Sequence, residues 1–200
     1  MRIAYLDAFA GVSGDMLLGA FLDAGVSLDL LREATAALKL GATLEVEEVD
    51  RSGIHAKKAH VLVDGKPADA EAHAQDEHHH HEHGGHHAHA RHTEARSLTA
   101  IRELIEQTSL TKPVKATAIR AFELLGAAEA KIHHVPVESV HFHEVGAVDA
   151  IVDVVLTSVA AEALRIEAWH CSPLNVGGGT VQCAHGRFPV PAPATAELLR

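Results

Sequence analysis

Residues 148–159 carry the pattern that most limits how this chain can fold. Val148, Ile151, Val152, Val155 and Val159 recur at helical spacing, so a helix here has an apolar stripe that other elements must cover. Asp149 and Asp153 are four apart and stack on one face beside that stripe. Immediately upstream, His141 and His143 are two apart, so an extended backbone points both side chains the same way. Glu144 follows them. The stretch thus reads as a short extended segment running into the amino end of a buried-faced helix. Imidazole and carboxylate together suit a divalent transition metal, which makes His141, His143, Glu144, Asp149 and Asp153 candidate ligands. The competing account is that the aspartates sit where the helix dipole favours them and that the histidines are ordinary loop residues.

The rest of the chain supplies elements to cover this helix. Residues 2–9 read as a strand buried on both faces. The tight loop Ala10-Gly11-Val12-Ser13-Gly14-Asp15 follows, then a helix over Met16–Ala24 ended by Gly25. Residues 28–40 are helical. Thr43–Val49 and Ala59–Val63 alternate as strands joined through Arg51-Ser52-Gly53, and Asp64-Gly65-Lys66-Pro67 stops the second. Ser97–Thr108 is helical. Pro113 suits the start of a long helix reaching about Ile132, and Pro136 follows its end. The central helix continues to about Leu164, a strand covers Ala168–Pro173, and a last helix starts near Thr195. The expected class is α/β, with α+β as the alternative: a mixed sheet flanked by helices.

Between His73 and His92 the pattern fails. Ten of the chain's 18 histidines lie there, including His78, His79, His80, His81, His83, His86, His87 and His89. Without apolar periodicity such a segment cannot bury enough surface to order itself, so a disordered insertion is expected. It interrupts what otherwise reads as one unit over residues 1–200, at about 66–95. Its imidazoles suit accessory binding of nickel, copper, zinc or cobalt, whereas catalysis needs fixed geometry.

Charge and cysteine content exclude some classes. The formal net charge is −10 with neutral histidine, which argues against a nucleic-acid binder working by broad electrostatics. Two cysteines do not make a disulfide framework, no signal peptide is evident, and no apolar run reaches spanning length. A soluble cytoplasmic protein with no membrane or nucleic-acid partner is the default expectation.

Two glycine-containing loops are candidate anion sites. Strand, Ser13-Gly14-Asp15, helix offers the unpaired amides of a helix start, and Asp7 and Asp15 bracket the loop. A phosphate there would need a metal between them; Asp15 as a plain cap is the alternative. In Gly177-Gly178-Gly179-Thr180, three residues without Cβ let backbone amides approach a ligand; a hairpin turn is the alternative. Cys183 and His185, two apart, are a candidate metal pair or an activated thiolate, against a plain buried cysteine.

In order, four segments point together: Tyr5–Met16 (Tyr-Leu-Asp-Ala-Phe-Ala-Gly-Val-Ser-Gly-Asp-Met), the internal His-rich loop, His141–Asp153, and Asn175–Leu199 with its Gly-Gly-Gly-Thr, Cys-Ala-His-Gly and Pro-Val-Pro-Ala-Pro-Ala-Thr runs. These closely resemble the LarC family, the nickel-insertion proteins that complete the nickel-pincer nucleotide cofactor of lactate racemase and related enzymes. The resemblance covers nearly the whole chain apart from the His-rich loop. It implies insertion of nickel into pyridinium-3,5-bisthiocarboxylic acid mononucleotide, with formation of nickel–sulfur bonds and one nickel–carbon bond, at the expense of CTP. The family is about twice this length, and CTP with magnesium or manganese is associated with its C-terminal half. That half is absent here and is therefore an expected partner. The chain stops at Arg200 in mid-helix, as a piece of a longer protein would. A nickel–carbon bond on a pyridinium ring requires loss of a ring proton, so a base is needed; Glu144 and His143 are the candidates. A nickel store built on the His-rich loop, and a metal-dependent phosphohydrolase using Asp7, Asp15 and Asp149, are the other readings. A homo-oligomer is left open.

Overall fold

The computed structural model describes residues 1–68, 96–142, 145–183 and 186–200. The expected disordered His-rich insertion lies almost wholly outside them. The elements in order are β1 (Ile3–Leu6), α1 (Gly14–Asp23), α2 (Leu28–Ala37), β2 (Ala42–Arg51), β3 (Ile54–Val63), β4 (Lys66–Pro67), β5 (Arg96–Ser97), α3 (Leu98–Glu106), α4 (Lys112–His133), β6 (His141–Phe142), α5 (Val148–Ala163), β7 (Ala168–Cys171), β8 (Thr180–Cys183), β9 (Gly186–Pro189) and α6 (Pro193–Leu198). A 3-10 turn at Val137–Ser139 precedes β6. The class is α/β, with parallel and antiparallel pairings flanked by helices. Among the described residues these pairings fall into four small sheets rather than one continuous sheet.

Local chemistry sets the helix boundaries. Ser27, Ser97 and Thr111 cap α2, α3 and α4 by accepting from the amides of Leu30, Ala100 and Val114, satisfying donors that a helix start leaves orphaned. Pro113 sits in the first turn of α4, and the helix ends on His134 in the left-handed conformation (φ 53°). Between β2 and β3 only Ser52 and Gly53 intervene, both at positive φ. That is the two-residue hairpin turn whose twist matches its strands.

The α5 stripe is buried as expected except at its first residue, Val148, which is partly buried. Ile151, Val152, Val155 and Leu156 are fully enclosed, each contributing about 1.5–3 kcal/mol by leaving water. Helices α1, α2 and α4 pack around α5, and α1 also lies on β3. Gly19 permits that last contact, because a Cβ there would run into the Lys57 carbonyl. One apolar core joins these elements, drawing Leu18, Leu31, Ile105, Phe122 and Phe142 to the α5 residues.

One expectation fails. Among the described residues β1 pairs in parallel with β7 alone, and only one face of the pair meets helices. Ile3 and Tyr5 on the other face are 48% and 66% exposed. An apolar run does not reveal how many layers cover it; here one side of the two-stranded pair is left open.

Candidate functional site

The loops leaving the carboxyl ends of β1 and β7 are stitched together. The Ala8 amide donates to Ser172 Oγ (2.8 Å), and the Ala8 carbonyl accepts from the amides of Gly11 (3.0 Å) and Asn175 (3.3 Å). Asn175 Nδ2 donates to the Phe9 carbonyl (3.1 Å), while its Oδ1 accepts from the Gly177 amide (3.0 Å). Gly11 takes φ +87°, and a Cβ built on it would lie 3.3 Å from the Asn175 carbonyl oxygen. The first loop and the triple-glycine loop, far apart in sequence, are thereby neighbours. Carboxyl ends of parallel strands are where open α/β sheets bind ligands.

Asp153 reaches the same place from the second turn of α5. A Cβ on Gly14 would fall on the Asp153 carboxylate, so this carboxylate lies directly against the amino end of α1. Ser13 holds the N-cap position of α1 without capping it; its hydroxyl donates to the Asp15 carboxylate instead. Two carboxylates therefore already face the positive end of the α1 dipole. A phosphate at Ser13–Asp15 would meet both negative charges, whereas a cation would be attracted by them. Asp7 stands exposed at the end of β1.

Asp149 is half-buried in the first turn of α5, whose N-cap, Ala147, offers no side-chain acceptor. The turn into α5 is braced by Arg96, whose Nη1 donates to the Gly146 carbonyl (2.6 Å). His141 is exposed on β6, paired with Ser97, in the extended form expected. His143, Glu144, His185 and the histidines from His78 to His89 lie outside the described residues. β8 ends at Cys183 and β9 begins at Gly186; the pairing of Cys183 with His185 expected from the sequence falls outside the described residues. Among the described residues, no three histidine, cysteine, aspartate or glutamate side chains gather as a metal set.

The triple-glycine loop has a cation beside it. Gly177 and Gly179 take φ +74° and +87°. Thr180 opens β8, and its Oγ1 accepts from Arg187 Nε on β9 (2.8 Å). The sequence alone does not mark Arg187, Ser172 or Asn175 as site residues. Asn175 had a local signal, an amide side chain two residues before a glycine. Arg187 had none, because its approach to Thr180 depends on the β8–β9 register.

A cavity of about 500 Å³ opens beside Gly14 and Asp153, between α4, α5 and the helix-facing side of β1 and β7.

Fold and loops define an α/β protein whose acidic first loop and triple-glycine loop meet at the ends of two parallel strands. Comparison with known families identifies it further: the nickel insertion protein model matches residues 4–200, and the chain belongs to that family. Proteins named pyridinium-3,5-bisthiocarboxylic acid mononucleotide nickel insertion protein are similar to it across its full length. That of Geobacillus kaustophilus is 42% identical over 201 residues, that of Thermotoga sp. (strain RQ2) 42% over 200, and that of Desulfitobacterium hafniense 43% over 200. The matches cover 100% of this chain but 45%, 46% and 43% of those relatives, so the chain spans under half their length. No solved structure matches it. Among the described residues no helix is long and apolar enough to cross a membrane.

Proposed function

We propose that these residues carry the metal-handling and substrate-binding part of an enzyme that inserts nickel into pyridinium-3,5-bisthiocarboxylic acid mononucleotide. Two charge environments side by side support the reading. The acidic one is made of Asp15 and Asp153 at the amino end of α1, with Asp7 at the end of β1 and Asp149 one turn before Asp153. It suits Ni²⁺ as a substrate, because carboxylates hold the ion and still release it to sulfur. His141 and the neighbouring His143 and Glu144 supply nitrogen and further oxygen donors, and Cys183 and His185 are additional candidates. The other environment is Gly177–Thr180 with Arg187, where backbone free of Cβ at three glycines and a guanidinium suit the phosphate of the mononucleotide. The junction Ala8–Ser172–Asn175 ties the two together.

The observation that carries this most directly is the contact of Asp153 with Gly14, which draws a carboxylate of the central segment into the loop after β1. Loss of the ring proton is assigned to Glu144 or His143, and accessory nickel binding to the histidines of residues 73–92. CTP and its magnesium or manganese ion are assigned to the portion of the relatives' length that this chain does not span, which is the partner needed for turnover. The test is to incubate the chain with nickel and the bisthiocarboxylate mononucleotide, then add CTP and manganese with or without the remaining portion of the Thermotoga relative. Mass spectrometry follows the nickel adduct. Binding of both substrates with turnover only in the complemented mixture is expected. Failure of the chain to bind either one contradicts the proposal.

A further inference from the structure

The cavity beside Asp153 is kept open by small side chains at helical spacing. Asp153, Thr157 and Ala161 follow one another at four-residue steps on α5, and Thr117 and Ala121 do the same on α4. With no long side chain at these positions, the two helices do not close over the β1–β7 pair. Leu6 and Leu17 supply apolar walls. Trp169 completes the lining from β7. Its indole stands edge-to-face with Phe21 (centroids 6.0 Å apart, planes at 90°), which fixes the ring, and it remains 43% exposed. At about 500 Å³ the space lies within the range of roughly 300–1,000 Å³ typical of small-molecule sites.

Its chemistry is selective. Among the described residues no lysine, arginine or histidine lines it, so a phosphate has no counter-charge there. Among the described residues the only charged group on its wall is the Asp153 carboxylate, one of whose oxygens is shielded from solvent. An apolar slot with an indole and a single carboxylate recognises a flat group of positive charge, through the π-face and the carboxylate together.

We propose that this cavity receives the pyridinium ring of a mononucleotide, held against Trp169 with its charge balanced by Asp153. The 5′-phosphate lies outside, toward Gly177–Thr180 and Arg187. The ligand class rests on the nickel-insertion reading above; the slot and its charge do not. Trp169 is thus a positioning residue for the ring, and Thr157 and Ala121 set the depth of the slot.

Trp169 is the only tryptophan in the chain, so its emission reports occupancy directly. The experiment titrates the chain with nicotinamide mononucleotide, a pyridinium mononucleotide without sulfur, and in parallel with ribose 5-phosphate. Saturable quenching by the first and none by the second is expected, because an excited indole gives up an electron to a pyridinium ring held against it. Thr157→Leu and Ala121→Leu, which fill the slot from opposite walls, are each expected to weaken quenching at least tenfold while retaining helical circular dichroism. Calorimetry on Trp169→Phe and Trp169→Ala is expected to show the phenyl face partly rescuing binding that alanine loses. Absence of saturable quenching, equal quenching by ribose 5-phosphate, or full binding in both folded slot-filled variants overturns the proposal. Nickel titration of the unaltered chain tests the metal reading separately. Nickel binding without pyridinium quenching refutes the slot and leaves the metal site standing; quenching without nickel binding does the reverse.

Discussion

Replacing Gly14 by alanine tests whether Asp153 lies against the amino end of α1. At most exposed helical positions Gly→Ala stabilises, by up to about 1 kcal/mol. Here the added methyl would sit 2.7 Å from Asp153 Cβ, in addition to overlapping the carboxylate. Turning the carboxylate aside relieves its own overlap but not the clash with Cβ, which no side-chain rotation moves, so the backbones of α1 and α5 must also shift apart. Overpacking of this kind costs about 1–3 kcal/mol. Against a propensity gain of about 0.5 kcal/mol at a helix start, the net destabilisation is about 0.5–2.5 kcal/mol. For a chain of this size each kcal/mol lowers Tm by about 2–4 °C, so Gly14→Ala should melt about 1–10 °C below the parent. Melting followed by circular dichroism gives the value. Adding Asp153→Ala to Gly14→Ala should recover part of the lost stability relative to the sum of the single effects. A Gly14→Ala protein as stable as the parent, or a strictly additive double variant, would refute the contact.

Three further outcomes follow from the same geometry. Gly19→Ala drives a methyl into the Lys57 carbonyl, a backbone atom that cannot rotate away, so a Tm loss at least equal to that of Gly14→Ala is expected in thermal melts. Arg187→Ala removes the guanidinium beside Thr180; calorimetry should show mononucleotide affinity about tenfold lower, a difference shrinking as salt screens the charge, with Tm nearly unchanged. Lys131 donates to Glu197 at 2.5 Å and holds its carboxyl below the usual glutamate range. A carboxyl lowered in the folded state stabilises above its unfolded pKa, about 4.3, and that contribution disappears as pH falls through the lowered value. Hydrogen exchange should therefore show α6 loosening from α4 in acid, and Lys131→Met should remove the pH dependence.

Much of the fold was legible because its signals are local. The early Pro113, the turn through Ser52-Gly53 and the apolar stripe of α5 each act within a few residues. What escaped depends on pairings over long separations. The approach of Asp153 to Gly14 needs α1 packed on α5, and the Ala8–Ser172–Asn175 junction needs β1 beside β7. Neither leaves a trace in spacing. The open face of β1 escaped for a related reason: Ile3 and Tyr5 read as core because they are apolar, and residue type does not say which face has a covering layer. The candidate site was legible as residue types, His141 through Asp153 and the two glycine loops. Its charge was not, since only the fold turns the amino end of α1 toward two carboxylates and brings Arg187 to Thr180.

The proposed function requires nickel bound by the α5 aspartates. The direct measurement is calorimetric nickel titration of the chain lacking residues 73–92, compared with the same chain carrying Asp149→Asn and Asp153→Asn. Deletion is expected to remove the loose sites and leave one tight site, and the paired substitutions to abolish that site while helix content persists. A tight site that survives both substitutions, or nickel binding that vanishes with the histidine segment alone, would contradict it.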